Sequence, residues 1–292
     1  MSYISDKSGA PFDIYNSGVL FTSQYTGTVT ALQNGYQGVV GDVSLDTLLG
    51  TKWATNDGRV LTLVSNAATA LVSGVLVQSQ AQQTAFQKLA VPALATQVAG
   101  NPPVAGAVGS YSIIVTNGAT VIPQGALNGG YAVVASGTGI GQTLQIASNP
   151  GGAASASVTI TLADPVQVAL DSTSKVSLLY NPFRNVIINP ATATGAPIGV
   201  TLYPVIASTA ATTDGTSGNQ TVAPQPQYFY VVSHGITSCL VDSTVTNVGY
   251  PIGRSAATAG AVGVATLTTV GQIGISAQTL TSANNGLISL YL

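Results

Sequence analysis

Glutamate does not occur in this chain of 292 residues, so its nine acids are all aspartates, and charged residues make up only 5% of it, where about a quarter is usual. Glu, Lys and Arg are the residues that normally cover exposed helix faces, so their scarcity excludes substantial helix. Seven Lys and Arg in all exclude the multiple phosphate contacts that drive nucleic-acid binding. No Lys/Arg cluster is present to meet an anionic membrane surface. The single cysteine, Cys239, excludes an internal disulfide framework and most cysteine metal sites.

Long apolar runs are also missing. The longest candidate, "VLTLVSNAATALVSGVLV", is interrupted by Ser65, Asn66, Thr69 and Ser73-Gly74, and reads as two strands and a turn rather than a membrane helix. The opening "MSYISDKSGAPFDIY" shows no apolar stretch behind a basic one, so no signal peptide is expected, and the protein is expected to be made in a cytosol and stay soluble.

Thr, Ser, Asn and Gln take the place of charge, together with 33 Gly and 14 Pro, and these residues suit strands and turns. The chain is long enough for a sizeable core. The predicted fold is all-β: two to three small antiparallel sandwich- or barrel-like units, an extended N-terminal arm and very little helix. Weak charge also means weak colloidal repulsion, which suits a chain whose working state is an assembly.

Punctuation along the chain suggests the boundaries. Residues 1–30 read as the arm, 31–100 as a first β unit, 101–173 as a second and 174–292 as a third. Asn56-Asp57-Gly58 between "KWAT" and "RVLTLV" predicts a hairpin. "QSQAQQTAFQKLA" (78–90) is the best helix candidate, with an extended conformation the alternative. "GNPP" (100–103) marks a boundary, because consecutive prolines stop both helix and central strand. In "SVTITL", Val158, Ile160 and Leu162 are predicted to face the core and Thr159 and Thr161 the solvent. Asn117-Gly118, Asn128-Gly129-Gly130 and Asn149-Pro150-Gly151-Gly152 punctuate the strands of this unit. In the closing "NNGLISLYL", Leu287, Ser289 and Tyr291 alternate with Ile288, Leu290 and Leu292, so both faces are expected to be buried. "TAATTDGTSGNQT" (209–221) is predicted to be an exposed polar loop.

Candidate chemistry is sparse. "SGTGIGQ" (136–142) has the glycines of a phosphate loop, but the strand pattern "QTLQI" follows it where a dinucleotide site needs a helix. A turn with positive φ is the better reading. His234 lies near Ser233, Cys239 and Asp242 in sequence. Adjacent Ser and His on a strand point to opposite faces, which separates nucleophile from base. Asp164, Asp171, Asp214 and Asp242 contain no D-x-D-x-D calcium loop.

Asp164 and Asp171 reappear after a stretch, residues 89–163, with no charged residue at all. Asp164 precedes Pro165 at a strand end and Asp171 opens "DSTS". Both are turn-capping positions, and Lys175 is placed to pair with Asp171. "QPQYFYVV" (225–232) offers an aromatic platform for a sugar, but reads better as a strand with Tyr228 and Tyr230 on one face and Phe229 on the other. No catalytic, cofactor-binding or metal-binding residue is therefore assigned, and no cofactor is expected.

The phrases "GTKWATNDGRVLTLVSNAATALVSGVLVQ", "NGGYAVVASGTGIGQTLQIASN", "LADPVQVALDSTSKVSLLYNPF", "YFYVVSHGITSCLVD" and "AGAVGVATLTTVGQIGISAQTLTSANNGLISLYL" together resemble the head cement or decoration proteins of tailed bacteriophages. The resemblance covers most of residues 45–292 and leaves the arm outside it. It implies a non-enzymatic virion protein, often a homotrimer, that binds the major capsid protein on the capsid exterior at capsomer junctions and stabilises the shell. The arm and first unit are expected to contact the capsid or a neighbouring subunit, with no nucleic-acid or membrane partner. The alternative is a head-fibre or tail β module that recognises host surface glycans.

Overall fold

A computed structural model of the chain describes residues 3–5, 11–13, 48–96, 101–192, 194–207, 227–265 and 271–292. The predicted loop at 209–221 lies outside these residues, and so does most of the predicted arm. In the arm, strands β1 (Tyr3–Ser5) and β2 (Pro11–Asp13) pair antiparallel.

All-β architecture is what the chain adopts. A short 3-10 turn, Thr84–Phe86, lies inside the segment read as the best helix candidate. The rest of that segment is strand or irregular, with Lys88 at φ +53°, because Phe86 is drawn into a β core and Leu89–Ala90 joins a sheet.

Two compact units divide the chain, and one is inserted in the other: residues 81–181 form the inserted unit, while the segments before and after them form the host. The inserted unit is a closed six-stranded antiparallel barrel made of β6 (Leu89–Ala90), β7 (Ser112–Thr116), β8 (Tyr131–Ser136), β9 (Thr143–Ser148), β10 (Ser157–Leu162) and β11 (Lys175–Leu179), in the order β10-β7-β6-β11-β8-β9. Strict alternation fills it. Ile113 and Val115, Leu144 and Ile146, Val158, Ile160 and Leu162, and Val176 and Leu178 point inward. Thr159 and Thr161 point outward as predicted. Phe86, Leu127, Val166 and Leu170 join this core from outside the strands.

The predicted limits of the second unit, 101 and 173, therefore need correction. Strands β6 and β11 lie outside those limits, yet their pairing, Lys175 with Ala90 and Val176 with Leu89, is what closes the barrel. "GNPP" interrupts the chain without ending a unit, since the residues before it already belong to the barrel.

The first and third predicted units are likewise one. The host unit contains β3 (Lys52–Ala54), β4 (Val60–Ser65), β5 (Leu76–Gln78), β12 (Ile187–Ile188), β13 (Pro197–Thr201), β14 (Tyr228–Leu240), β15 (Pro251–Arg254), β16 (Val262–Val264), β17 (Gln272–Ser276) and β18 (Asn285–Tyr291) in a ten-stranded sheet. Early strands β4 and β5 pair with late strands β14 and β13. The predicted hairpin joins β3 to β4: Thr55 N–H donates to Arg59 O (2.9 Å) and Gly58 takes φ +81°. Beside it, Arg59 Nε donates to Asp57 at 2.7 Å, the only ion pair among the described residues.

Strand β14 organises the host unit. Its first half is buried on both faces: Tyr228, Tyr230 and Val232 join Leu61 and Leu63 in one core, while Phe229 and Val231 join Val64 and Val77 in another. Tyr and Phe thus divide between faces as predicted. A register shift between Val232 and His234 then breaks the ladder to β4. Gly235 follows at φ +93°, and a Cβ there would lie 3.0 Å from Arg59 Cα. This bulge turns the second half of β14 into a strand with one open face, paired with β18. Strands β14, β18, β17, β15 and β16 follow in order, and a parallel bridge from Val241 to Val262 returns β16 to the end of β14.

Candidate functional site: two exposed apolar surfaces

The residues that the sequence placed near His234 are separated by the alternation of β14. Ser233 is buried, accepts a hydrogen bond from Thr62 Oγ1 (2.8 Å) and donates to Val60 O (3.2 Å). His234 points out, with its ring 5.7 Å from that of Tyr291. Cys239 is fully buried, and burial pushes its thiol up to about 12, far from a thiolate nucleophile. Asp242, just beyond the strand, accepts from Ser255 Oγ, and that hydroxyl in turn accepts from the amides of Ala257 and Thr258. It organises a turn. Asp214 lies outside the described residues. Among the described residues, no group of three His, Cys, Asp or Glu is placed to hold a metal ion.

"SGTGIGQ" is the β8–β9 hairpin loop, with Gly137, Gly139 and Gly141 all at positive φ. It lies at one end of the barrel beside the segment that carries Asp164 and Asp171. Asp164 accepts from the Gln145 amide (3.2 Å). Asp171 accepts from Thr138 Oγ1 (2.6 Å), from Thr173 N (2.8 Å) and from Thr173 Oγ1 (2.5 Å). The Thr138 hydroxyl above all, then the Thr173 hydroxyl and amide, hold the Asp171 carboxyl down at about 2. Hydroxyls and amides, not Lys175, are its partners, so the expected Asp171–Lys175 pair does not form. A local cap satisfies the carboxylate without ordering a long ammonium side chain.

These caps brace a larger structure. Gln142 donates through Nε2 to Val168 O (2.9 Å) and accepts through Oε1 from Gln167 N (2.9 Å) and Val168 N (3.0 Å). Ser174 Oγ donates to Thr138 O (2.7 Å). Gly109 N–H donates to Val166 O (2.8 Å) and Leu170 N–H to Gly106 O (2.9 Å). Loops 104–111, 136–142 and 163–174 are thus tied together at one barrel end. They hold Val108, Tyr111, Ile140 and Val168 in water; Ile140 is 67% exposed and Val108 59%. This surface was not legible in the sequence, where the four residues are spread over three loops.

Because the Asp171 carboxyl is depressed, its share of the bracing is complete above pH about 4 and lost as pH falls through about 2. Amide exchange at Thr138 and Thr173 is expected to rise across that window. In Asp171→Asn the faster exchange should be present at neutral pH, and its pH dependence should vanish. An unchanged profile would remove Asp171 from the brace.

The second surface is the open face of β14 and β18. Cross-strand partners point to the same side of a sheet, so His234, Ile236 and Ser238 share this face with Tyr291, Ser289 and Leu287. Ile236 is 55% exposed, Tyr291 51% and Leu287 42%, while Ile288 and Leu290 beneath them are fully buried. Ile275 of β17 and Pro251 of β15 extend the face in the same row. The expectation that both faces of "NNGLISLYL" are buried is thereby corrected. Apolar residues on both sides of a strand do not distinguish a second core from an unpartnered surface.

No family model, no curated protein and no solved structure matches the chain.

Proposed function

We propose that this chain is a non-catalytic structural protein of the virion, a cement or decoration protein bound to the outer surface of a tailed-phage capsid at capsomer junctions. The observation that carries this reading is the braced apolar end of the barrel. Val108, Tyr111, Ile140 and Val168 stand in water on loops that hydrogen bonds already hold in place. Covering such side chains stabilises a complex at about 25 cal/mol per Å² of apolar surface buried, and braced loops lose little conformational entropy on docking. The phrases that carry the resemblance to decoration proteins include two of the tied loop segments, "SGTGIGQ" and "ADPVQVALDSTS". In this reading the barrel end meets the major capsid protein, and the protein, made in the host cytoplasm, assembles on the shell as a homotrimer and helps it resist internal pressure.

The experiment is co-sedimentation of Ile140→Asp/Val168→Asp with undecorated capsids. The double substitution replaces two apolar contacts with two carboxylates, and burying unpaired charge is costly. At least a tenfold loss of affinity is expected, about 1.4 kcal/mol or more. Binding equal to that of the unsubstituted chain would overturn the assignment of this surface to the shell.

A further inference from the structure

We propose that the open face of β14 and β18 is a self-recognition surface, which pairs with the same face of a second copy about a two-fold axis parallel to the strands. This inference rests on register and exposure in the host unit and stands whether or not the barrel end binds a capsid.

The six outward residues form an array of two columns and three rows. His234 lies opposite Tyr291, Ile236 opposite Ser289, and Ser238 opposite Leu287. In the second and third rows a large apolar side chain faces a small hydroxyl, and the large one changes column between rows. The face therefore has two bumps and two hollows on opposite diagonals. Rotation by a half-turn about an axis lying between the two faces, along the strands, places each column over the other and keeps each row over itself. Ile236 then meets Ser289 of the second copy, Leu287 meets Ser238 of the second copy, and each contact occurs twice. His234 meets Tyr291 of the second copy, ring against ring.

One large and one small side chain per position suit the roughly 10 Å between packed sheets. An array of three rows also tolerates the angle of about 30° that sheet twist imposes on facing sheets. An isologous contact needs a self-complementary patch, and this alternation supplies one.

Charge points to the same occupant. The array holds no carboxylate, ammonium or guanidinium group. At its bulge end the Arg59 guanidinium is already neutralised by Asp57 at 2.7 Å. A second copy brings an equally uncharged surface, so the contact neither repels nor buries an unpaired ion. The axis matches two strands, over seven residues along β18. At about 4.8 Å between strands and about 3.4 Å per residue, the matched surface is on the order of 200 Å² per copy. A standard interface covers about 800 Å² per partner. The contact is accordingly weak in dilute solution, and it favours copies already held side by side.

Sedimentation velocity on the full chain, from low to high micromolar concentration, tests the proposal. The weight-average mass is expected to double with concentration, from whatever state the dilute protein adopts, and the doubling is expected to disappear in Ile236→Asp. A mass that does not change with concentration, or a doubling retained by the variant, would overturn the proposal. So would a threefold fall in mass in the variant, because a ring contact and not a two-fold one would then use this face.

A second measurement covers the possibility of misfolding in that variant. His234→Cys and Ser238→Cys proteins, treated with a short bismaleimide alone and as a mixture, are each expected to cross-link to themselves more than to each other, because the rotation keeps each row over itself. Buried Cys239 leaves little background. Equal cross-linking in the mixture and in each protein alone would count against the two-fold geometry. Capsid co-sedimentation of Ile236→Asp is expected to be unchanged for isolated copies, so self-association and shell binding fail separately.

Discussion

Phe86→Ala is expected to destabilise the barrel by about 3–5 kcal/mol, the usual cost of truncating a fully enclosed aromatic side chain. Phe86 is 1% exposed and sits in the barrel core, with its ring edge-on to Tyr180 at 6.0 Å and 71°. Its 3-10 turn is held by Phe86 N–H donating to Gln83 O (3.1 Å) and Gln87 N–H to Thr84 O (3.1 Å). Two backbone bonds cannot maintain such a turn without the ring that anchors it. The substitution therefore removes core volume and also releases the segment leading into β6, the strand through which the barrel closes. Hydrogen exchange should show it as a roughly hundredfold or greater rise in the slowest amides of β7 to β11, since each 1.4 kcal/mol is about tenfold. Exchange that stays at the unsubstituted rates in those strands would mean that Phe86 merely covers the barrel. The shell binding proposed for the barrel end should weaken in step.

Gly137→Ala should be nearly as damaging, although it adds a single methyl group. Gly137 has φ +81°, and a Cβ there would lie 2.2 Å from Thr173 O and 2.7 Å from Ser174 Cα. The left-handed backbone alone costs an alanine roughly 1–2 kcal/mol. Displacing packed backbone adds about 1–3 kcal/mol. The displaced residues are those that brace Asp171 and Thr138, so the barrel-end loops should loosen as well. Gly141→Ala is the matched control: it shares the positive φ, at +91°, but has nothing within 4 Å of its Cβ position. It is expected to lose only the backbone part. Equal losses in the two variants, measured by chemical denaturation, would show that close approach at Gly137 is unimportant.

The two surfaces divide the labour of the proposed assembly. The barrel end has apolar tips on tied loops, which suits docking onto another protein's surface. The β14–β18 face has a flat, self-matching array, which suits a neighbour of the same kind. Even a weak contact of this kind gains where copies are held side by side.

Composition and local pattern determined a good deal by themselves. Scarce charge, abundant Thr, Ser and Gly, and period-two alternation such as Val158-Thr159-Ile160-Thr161-Leu162 were enough for all-β structure and for the inward set of β10. Short-range turn chemistry was enough for the Asn56-Asp57-Gly58 hairpin, for the glycine loop at 136–142 and for the capping role of Asp171. Each of these depends on residues a few positions apart.

Tertiary structure decided the rest, for reasons of sequence distance. Barrel closure pairs Ala90 with Lys175, and the host sheet pairs Ser65 with Tyr228; no local signal marks such partners, so three expected units became one barrel inserted in one host. The segment 78–90 was ambiguous in isolation, and Phe86 resolved it by entering a core built from distant strands. The open face of β18 depends on the bulge at Gly235 and on the absence of a third layer over Leu287 and Tyr291 among the described residues. Alternation along a strand states that its two faces differ. Which of two apolar faces lies against a core and which against water is set by the strands that the rest of the chain delivers there.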